Sequence, residues 1–451
     1  MAPPVLLVNA NRLRPPVAPV AIDYLGTALE DAGFGVRVLD LAWSRDLEGD
    51  LARALAERPL FVGLTLRNLD DSSAASRRSY VAEHGEVVRL IRKHTDAPVV
   101  VGGAGLSIAP GAALRALGAD AAVRGEGEAA IVSFAQGRPA GGPPVDLSAF
   151  GPPRRTYVDN ARYLREGAQV GFESSRGCDG TCTYCADPLA KGCRVRRRSP
   201  ASVAAELEGL LRSGVDVFHT CDSEFNADPV HARAVCEAIA ERGLGGKIRW
   251  YAYARPDRFP EGLAGAMRAA GCVGVNFGVD HLEAGMLGRL GRTHRIEDVR
   301  AAREACRRAG LAVMMDLLFG APGETRRTIR ETIEGVRALD PEAAGIALGV
   351  RLYRGTPLGD ELAPPGGKVH PGVTGASADL LDPAFFLEPG LGDDIAEYLA
   401  DQVSGDRRFF CLGTVGGGKI PSYHYGGNDV LEKAIAAGAR GAYWDILRSR
   451  R

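Results

Sequence analysis

Short apolar runs alternate with longer amphipathic stretches along most of the chain. In the first 135 residues the runs are Val5–Val8, Val36–Asp40, Leu60–Leu66, Pro98–Gly102 and Ala121–Arg124. Their near-continuous apolar character predicts strands buried on both faces. Helical patterns such as Ala18–Ala32 and Val81–His94 fall between them. This alternation predicts a doubly wound α/β layer whose ligands bind at the carboxyl ends of the strands. Gln136–Pro153 is rich in Gly and Pro and reads as a linker. A second series then begins, with strands at Val170–Glu173, Val217–Thr220, Trp250–Tyr253, Val273–Gly278, Val313–Leu318 and Ile346–Val350. Helices are expected at Ser202–Arg212, Ala232–Arg242, Glu261–Ala270, Ile296–Ala309 and Thr325–Leu339. Six such units suit a partial (β/α)6 barrel, with its active site at the carboxyl ends of the strands. After about residue 365 the rhythm is lost. The chain is therefore divided into a Rossmann-like domain (1–135), a linker (136–165), the barrel (166–365) and a small C-terminal α/β region (366–451).

Composition narrows the chemistry. The 451 residues are 45% hydrophobic and 25% charged, with a net charge of -1. Nothing global attracts the chain to nucleic acid or to an anionic membrane. The first apolar run is too short to span a bilayer and no basic leader precedes it, so a cytoplasmic protein is expected. Of nine cysteines none lies before Cys178, which is not the pattern of a secreted disulfide framework.

Three of those cysteines carry the strongest signal. Cys178, Cys182 and Cys185 form C-x3-C-x2-C in a loop directly after the strand Val170–Glu173. Three thiolates can hold three irons of a 4Fe–4S cluster and leave the fourth iron open. A closed zinc site, with Cys193 as fourth ligand, is the competing reading.

Strand, cysteine loop with an aromatic residue (Tyr184) before the last ligand, and barrel together resemble the radical SAM superfamily. The resemblance implies that the open iron chelates S-adenosylmethionine (SAM), and that cluster and cofactor carry the chemistry while the protein binds and orients. It also implies that Asp222 or Glu224 accepts hydrogen bonds from the SAM ammonium. Asp222 or Ser223 as a helix cap is the plain alternative for that segment. Asp280 stands where the family pattern has Glu. Gly320 and Pro322, in Phe319–Thr325, match the turn that lies close to the adenosine. The same turn could simply end a strand and start a helix.

The front domain resembles the cobalamin-binding domain of one radical SAM branch. The resemblance implies cofactor contacts from Asn9, Asn68, Asp70, Gly102, Gly103, Ser107, Gly125, Glu126 and Glu128, all at or near predicted strand ends. A D-x-H-x-x-G motif is absent, so cobalamin is expected without a histidine ligand. Arg67 is the candidate for the cobalt's lower face, since a guanidinium donates but cannot ligate. An ordinary ion pair of Arg67 with Asp70 or Asp71 is the alternative. Tyr353, just after the last barrel strand, is a catalytic or pocket candidate, and the aromatic tail around Phe409–Cys411 and Lys419–Tyr425 either lines the pocket or packs.

These features lead to a cobalamin-dependent radical SAM methyltransferase acting on an unactivated carbon of a small molecule, in natural-product biosynthesis. One SAM would supply the methyl group and another the radical, with electrons from a flavodoxin- or ferredoxin-type donor. A non-methylating rearrangement, ring contraction or cyclisation is the alternative within the branch. A non-catalytic cobalamin or cluster sensor is the alternative from another class. Nucleic acid and membrane are not expected partners.

Overall fold

The computed structural model describes residues 3–142, 144–412, 420–424 and 426–450. The front domain is a five-stranded parallel sheet of β1 (Val5–Asn9), β2 (Val36–Asp40), β3 (Val62–Thr65), β4 (Val99–Gly102) and β5 (Ala121–Ala122), in the order β2-β1-β3-β4-β5. All five residues of β1 are buried, because helices cover both faces of the sheet. The strand order reverses between β1 and β3, and that switch point opens a crevice at the carboxyl edge. Register pairs Asn9 with Asp40 and with Thr65, and Thr65 with Gly102, so these four residues share that edge.

The second sheet is also parallel. It contains β6 (Val170–Phe172), β7 (Val217–Thr220), β8 (Arg249–Ala254), β9 (Cys272–Asp280), β10 (Ala312–Phe319), β11 (Ala343–Leu348) and β12 (Phe409–Cys411), and neighbours follow in chain order. The six expected β/α strands are all present. A seventh, β12, comes from the tail and pairs with β11. The described part of the tail thus does not stand apart: Phe409 and Phe410 are buried in the main core, because the open edge of β11 offers unpaired backbone groups that β12 satisfies. Gly413–Lys419 and Tyr425 lie outside the described residues.

One apolar core runs from the front sheet into the barrel, joining Leu7, Ile22 and Ile131 to Tyr163, Leu207 and Trp250. The linker is part of this junction and carries a helix of its own, Asn160–Arg165. Asp23, on the first helix of the front domain, accepts from Arg155 Nε at 2.8 Å, Asn160 Nδ2 at 3.0 Å and the Val158 N–H at 3.1 Å. Arg155 also pairs with Glu206 of the barrel, and Arg198 pairs with the same carboxylate at 2.6 Å. Both side chains of the Arg198–Glu206 pair are 0% exposed. Buried charges survive only when matched, so this network fixes how the two sheets meet.

Candidate active site

The cluster loop follows β6. Each of its three sulfurs receives a donor. Gly180 N–H lies 3.4 Å from Cys178 Sγ, Asp187 N–H 3.5 Å from Cys185 Sγ, and Arg292 Nη1 3.1 Å from Cys182 Sγ. Donors aimed at sulfur favour thiolates, the form that binds iron. Among the described residues no three His, Cys, Asp or Glu side chains are placed to share a single metal ion. Cys193, the would-be fourth zinc ligand, is exposed. The donor set therefore fits a cluster whose thiolates sit on separate irons, not a closed zinc site.

A polar shell stands around the loop. Tyr184 donates its hydroxyl to Asp280 Oδ2 at 2.5 Å, and Arg292 Nε lies 3.4 Å from the same oxygen. A register shift between Gly278 and Asp280 and a φ of 57° at Asp280 turn this carboxylate toward the loop. Asp222 and Glu224 behave differently. Asp222 accepts from the Ser174 N–H (2.8 Å), the Ser174 hydroxyl (2.8 Å) and the Ser175 N–H (2.7 Å), so it pins the entry to the cysteine loop and has little capacity left. Glu224 Oε2 is buried and has no hydrogen-bond partner among the described residues. Burial pushes this carboxyl up to about 7, against the pull of Arg292 and Arg255. An orphaned acceptor of this kind fits a cationic ligand such as an ammonium. The helix after this segment is capped by Asp228, not by Asp222 or Ser223.

The turn after β10 is held from below. Glu324 accepts from the Gly320 N–H at 2.5 Å and lies 2.8 Å from His281 Nε2. Pro322 offers its carbonyl to Arg289 at 3.4 Å. Thr325 caps the following helix, so the turn both ends a strand and starts a helix.

The front domain contributes a crevice of about 210 Å³ at its carboxyl edge, lined by Leu64, Gly102, Gly103, Gly125, Glu126 and Glu128 among others. Gly103 has φ 109° and ψ 167°, a conformation essentially restricted to glycine, and a Cβ there would lie 2.5 Å from the Leu66 carbonyl oxygen. Ser107 ties two loops together: it donates to the Gly103 carbonyl and accepts from the Gly125 N–H, both at 2.9 Å. Glu128 pairs with Arg176 at 2.6 Å, and Arg176 bridges to Glu126 and to Glu173 at the end of the first barrel strand. A narrow slot walled by backbone, with small residues at its rim, fits the flat tail of a cobalamin. Gly103→Ala is expected to cost about 1–3 kcal/mol and to lower the cobalamin retained per chain. Denaturant midpoints and the corrin absorbance of purified protein measure both.

Other candidates are placed as follows. Asn9 is buried and donates to Asp40 at 2.8 Å and to the Tyr163 hydroxyl at 3.0 Å, so it anchors the linker helix at the strand edge. Asn68 supplies backbone that packs tightly on Gly105. Asp70 pairs with Arg351 at 2.8 Å, and not with Arg67. Arg67 is exposed, forms no ion pair among the described residues, and acts electrostatically on His219 and Cys221 of the barrel. Tyr353 lies under the Arg351 guanidinium (4.5 Å) with its hydroxyl 3.4 Å from Ser72 Oγ, so it braces the loop that carries Arg67.

Comparison with known proteins agrees with this geometry. A family model described as the radical SAM superfamily matches residues 172–336, and one described as a B12 binding domain matches residues 7–135. The tryptophan 2-C-methyltransferase of Streptomyces laurentii is 32% identical over 444 residues, covering 80% of this chain and 74% of that protein. The chain belongs to the cobalamin-dependent radical SAM family. Two structures of the radical SAM methyltransferase TsrM from Kitasatospora setae align over 100% of this chain and 98% of theirs. One, with tryptophan and a SAM analogue bound, gives a TM-score of 0.91 at 33% identity; the other, with cobalamin and a [4Fe-4S] cluster bound, gives 0.89 at 32%. The cobalamin-dependent enzyme OxsB shares the fold, with a TM-score of 0.70 at 15% identity. This family member is a radical SAM enzyme homologous to C-methyltransferases, and its cofactors are a [4Fe-4S] cluster, SAM and cobalamin.

Three functional arginines were missed by sequence reasoning. Arg292 serves Cys182 across 110 residues, Arg176 joins the two cofactor regions, and Arg351 holds Asp70 across 281 residues. None lies in a recognisable local pattern. Three consecutive arginines, Arg196, Arg197 and Arg198, each pair with a carboxylate, on Glu126, Asp228 and Glu206.

Proposed function

We propose that this enzyme methylates a carbon of tryptophan, at the indole C2 position named for its Streptomyces relative. The observation that carries the reading is the full-length match to a structure that holds tryptophan beside a SAM analogue. When bound, SAM supplies the methyl group, cobalamin relays it, and the cluster anchors SAM. The chain's own residues do the rest. Cys178, Cys182 and Cys185 hold the cluster, and Arg292 keeps a donor on Cys182. Glu224 takes the SAM ammonium, for which Asp222 has little capacity left. Gly320 and Pro322 border the adenosine, on a turn fixed by Glu324. Gly102, Gly103, Gly125, Glu126 and Glu128 line the crevice for cobalamin, and Ser107 ties its Gly103 and Gly125 loops together. Arg67 is assigned to the cobalt's lower face, because a permanent cation without an acceptor lone pair cannot ligate a metal.

A small flavodoxin- or ferredoxin-type protein is the proposed electron source. Among the described residues no helix is long and apolar enough to cross a membrane. The proposed location is the cytoplasm, where free thiols stay reduced.

The test is an anaerobic assay of cluster- and cobalamin-loaded protein with SAM, reductant and tryptophan. Methyltryptophan and S-adenosylhomocysteine are expected together, and only when cobalamin is present. Fully loaded protein that leaves tryptophan unchanged would overturn the tryptophan reading. A changed product without S-adenosylhomocysteine would point to rearrangement instead.

A further inference from the structure

Beneath the strand ends, the barrel interior holds a polar pair, Asn276 and Asp316, that the cofactor roles proposed above do not use. Side chains alternate across a strand, and Gly278 pairs in register with Asp316 while Asn276 pairs with Met314. Asn276 Nδ2 donates to Asp316 Oδ2 at 3.0 Å. Asn276 is only 5% exposed, yet its Oδ1 is buried without a hydrogen-bond partner. Asp316 forms no ion pair among the described residues. Arg292, the cation beside this level of the barrel, is committed to Cys182, Asp280 and the Gly278 carbonyl.

The surroundings are aromatic and open. Tyr253 lies on an inner strand but is 42% exposed, and Asp316 also keeps accessible surface. Both therefore face free space inside the barrel. His219 stands against Tyr253 with ring centroids 5.0 Å apart. Tyr423 reaches in from the tail over Gly345, where a Cβ would lie 2.9 Å from its ring. Asp316 precedes the Gly320 turn by four residues, about 13 Å along the strand, so it lies well below the turn assigned to SAM.

A half-buried carboxylate beside an unsatisfied amide oxygen is an acceptor site awaiting a donor-rich cation. Aromatic walls around it suit a flat ring. We propose that Asp316 and Asn276 Oδ1 bind the α-ammonium group of the substrate, with Tyr253 and Tyr423 flanking its aromatic ring. The negative charge of Asp280 and Glu224 adds to the same preference: burial and these two carboxylates push the Asp316 carboxyl up to about 7, and an incoming cation relieves that repulsion. The inference rests on the reading of the substrate as an aromatic amino acid, and it names what selects the amine.

Asp316→Asn, which keeps the size and the Asn276 contact, tests it in cluster- and cobalamin-loaded protein. Binding of tryptophan, of indole-3-propionate (the same molecule without its amine) and of SAM is measured by calorimetry. Tryptophan is expected to weaken at least about 30-fold, the usual scale for losing one partner of a buried charge pair. Indole-3-propionate and SAM should change less than about threefold, which also shows that the variant is folded. Unchanged tryptophan affinity, equal weakening of both indoles, or weakening of SAM alone would overturn the assignment. Wild type that ignores tryptophan would instead sink the tryptophan reading, and the pair is then judged on tryptamine and phenylalanine. An amine held by wild type and lost by Asp316→Asn keeps the ammonium site; failure of every such amine to bind removes it.

Discussion

Cys182→Ala is expected to take iron and sulfide content down to background and methylation below detection. Three thiolates hold three irons of the cluster, and the fourth iron must stay open for SAM. Two thiolates leave the cluster short of one protein ligand, and Cys221 belongs to a different strand end, after β7. The variant also strips Arg292 of its sulfur acceptor, although Asp280 remains 3.4 Å from that guanidinium and still balances its charge. The protein should therefore stay folded, with unchanged far-ultraviolet circular dichroism, and should still take up cobalamin in the front domain. Iron analysis and product assays after anaerobic reconstitution give the answer. A full cluster complement with normal turnover would remove the basis for reading this loop as the catalytic anchor.

Glu206→Ala should be the most destabilising single change outside the apolar core. Glu206 is the one carboxylate shared by Arg155 and Arg198, and the side chains of the two arginines are 5% and 0% exposed. Its removal leaves two buried guanidinium groups with neutral acceptors such as the Gly171 and Glu173 carbonyls, and with Asp23, which pairs with Arg155, as the remaining carboxylate partner among the described residues. Breaking a buried pair by deleting one partner costs on the order of 3–5 kcal/mol. Because the network joins the front domain, the linker and the barrel, cobalamin content should fall with stability. Glu206→Gln keeps one acceptor and should lose less. Denaturant titration of the three proteins measures this, and a loss below about 1 kcal/mol for the alanine variant would mean that water reaches the network.

The cluster loop was legible because its chemistry is local. Eight residues contain all three ligands, and the glycine and tyrosine within them, so spacing alone carries the message. The front crevice was nearly as clear, since glycine-rich turns at strand ends are written in consecutive residues. The expected alternatives were resolved only by contacts. Arg67 is open to pairing with Asp70 until Asp70 is placed on Arg351, and Asp222 and Glu224 look equivalent until the fold puts three donors on Asp222 and, among the described residues, none on Glu224 Oε2. The tail is the same case: its aromatic residues divide into Phe409 and Phe410, which pack in the core, and Tyr423, which enters the barrel.

By itself the sequence determined the two alternating α/β layers, the three-cysteine loop proposed to hold the cluster and the glycine-rich edge of the front sheet. Those features depend on residues near one another in the chain, where periodicity and backbone conformation act directly. Only the tertiary structure decided which charges neutralise which, that the tail completes the barrel sheet, and that Asp316 and Asn276 share an unmatched site inside it. Ion pairs and inward-facing side chains join residues tens to hundreds of positions apart, and their energies depend on burial, which does not exist until the chain has folded.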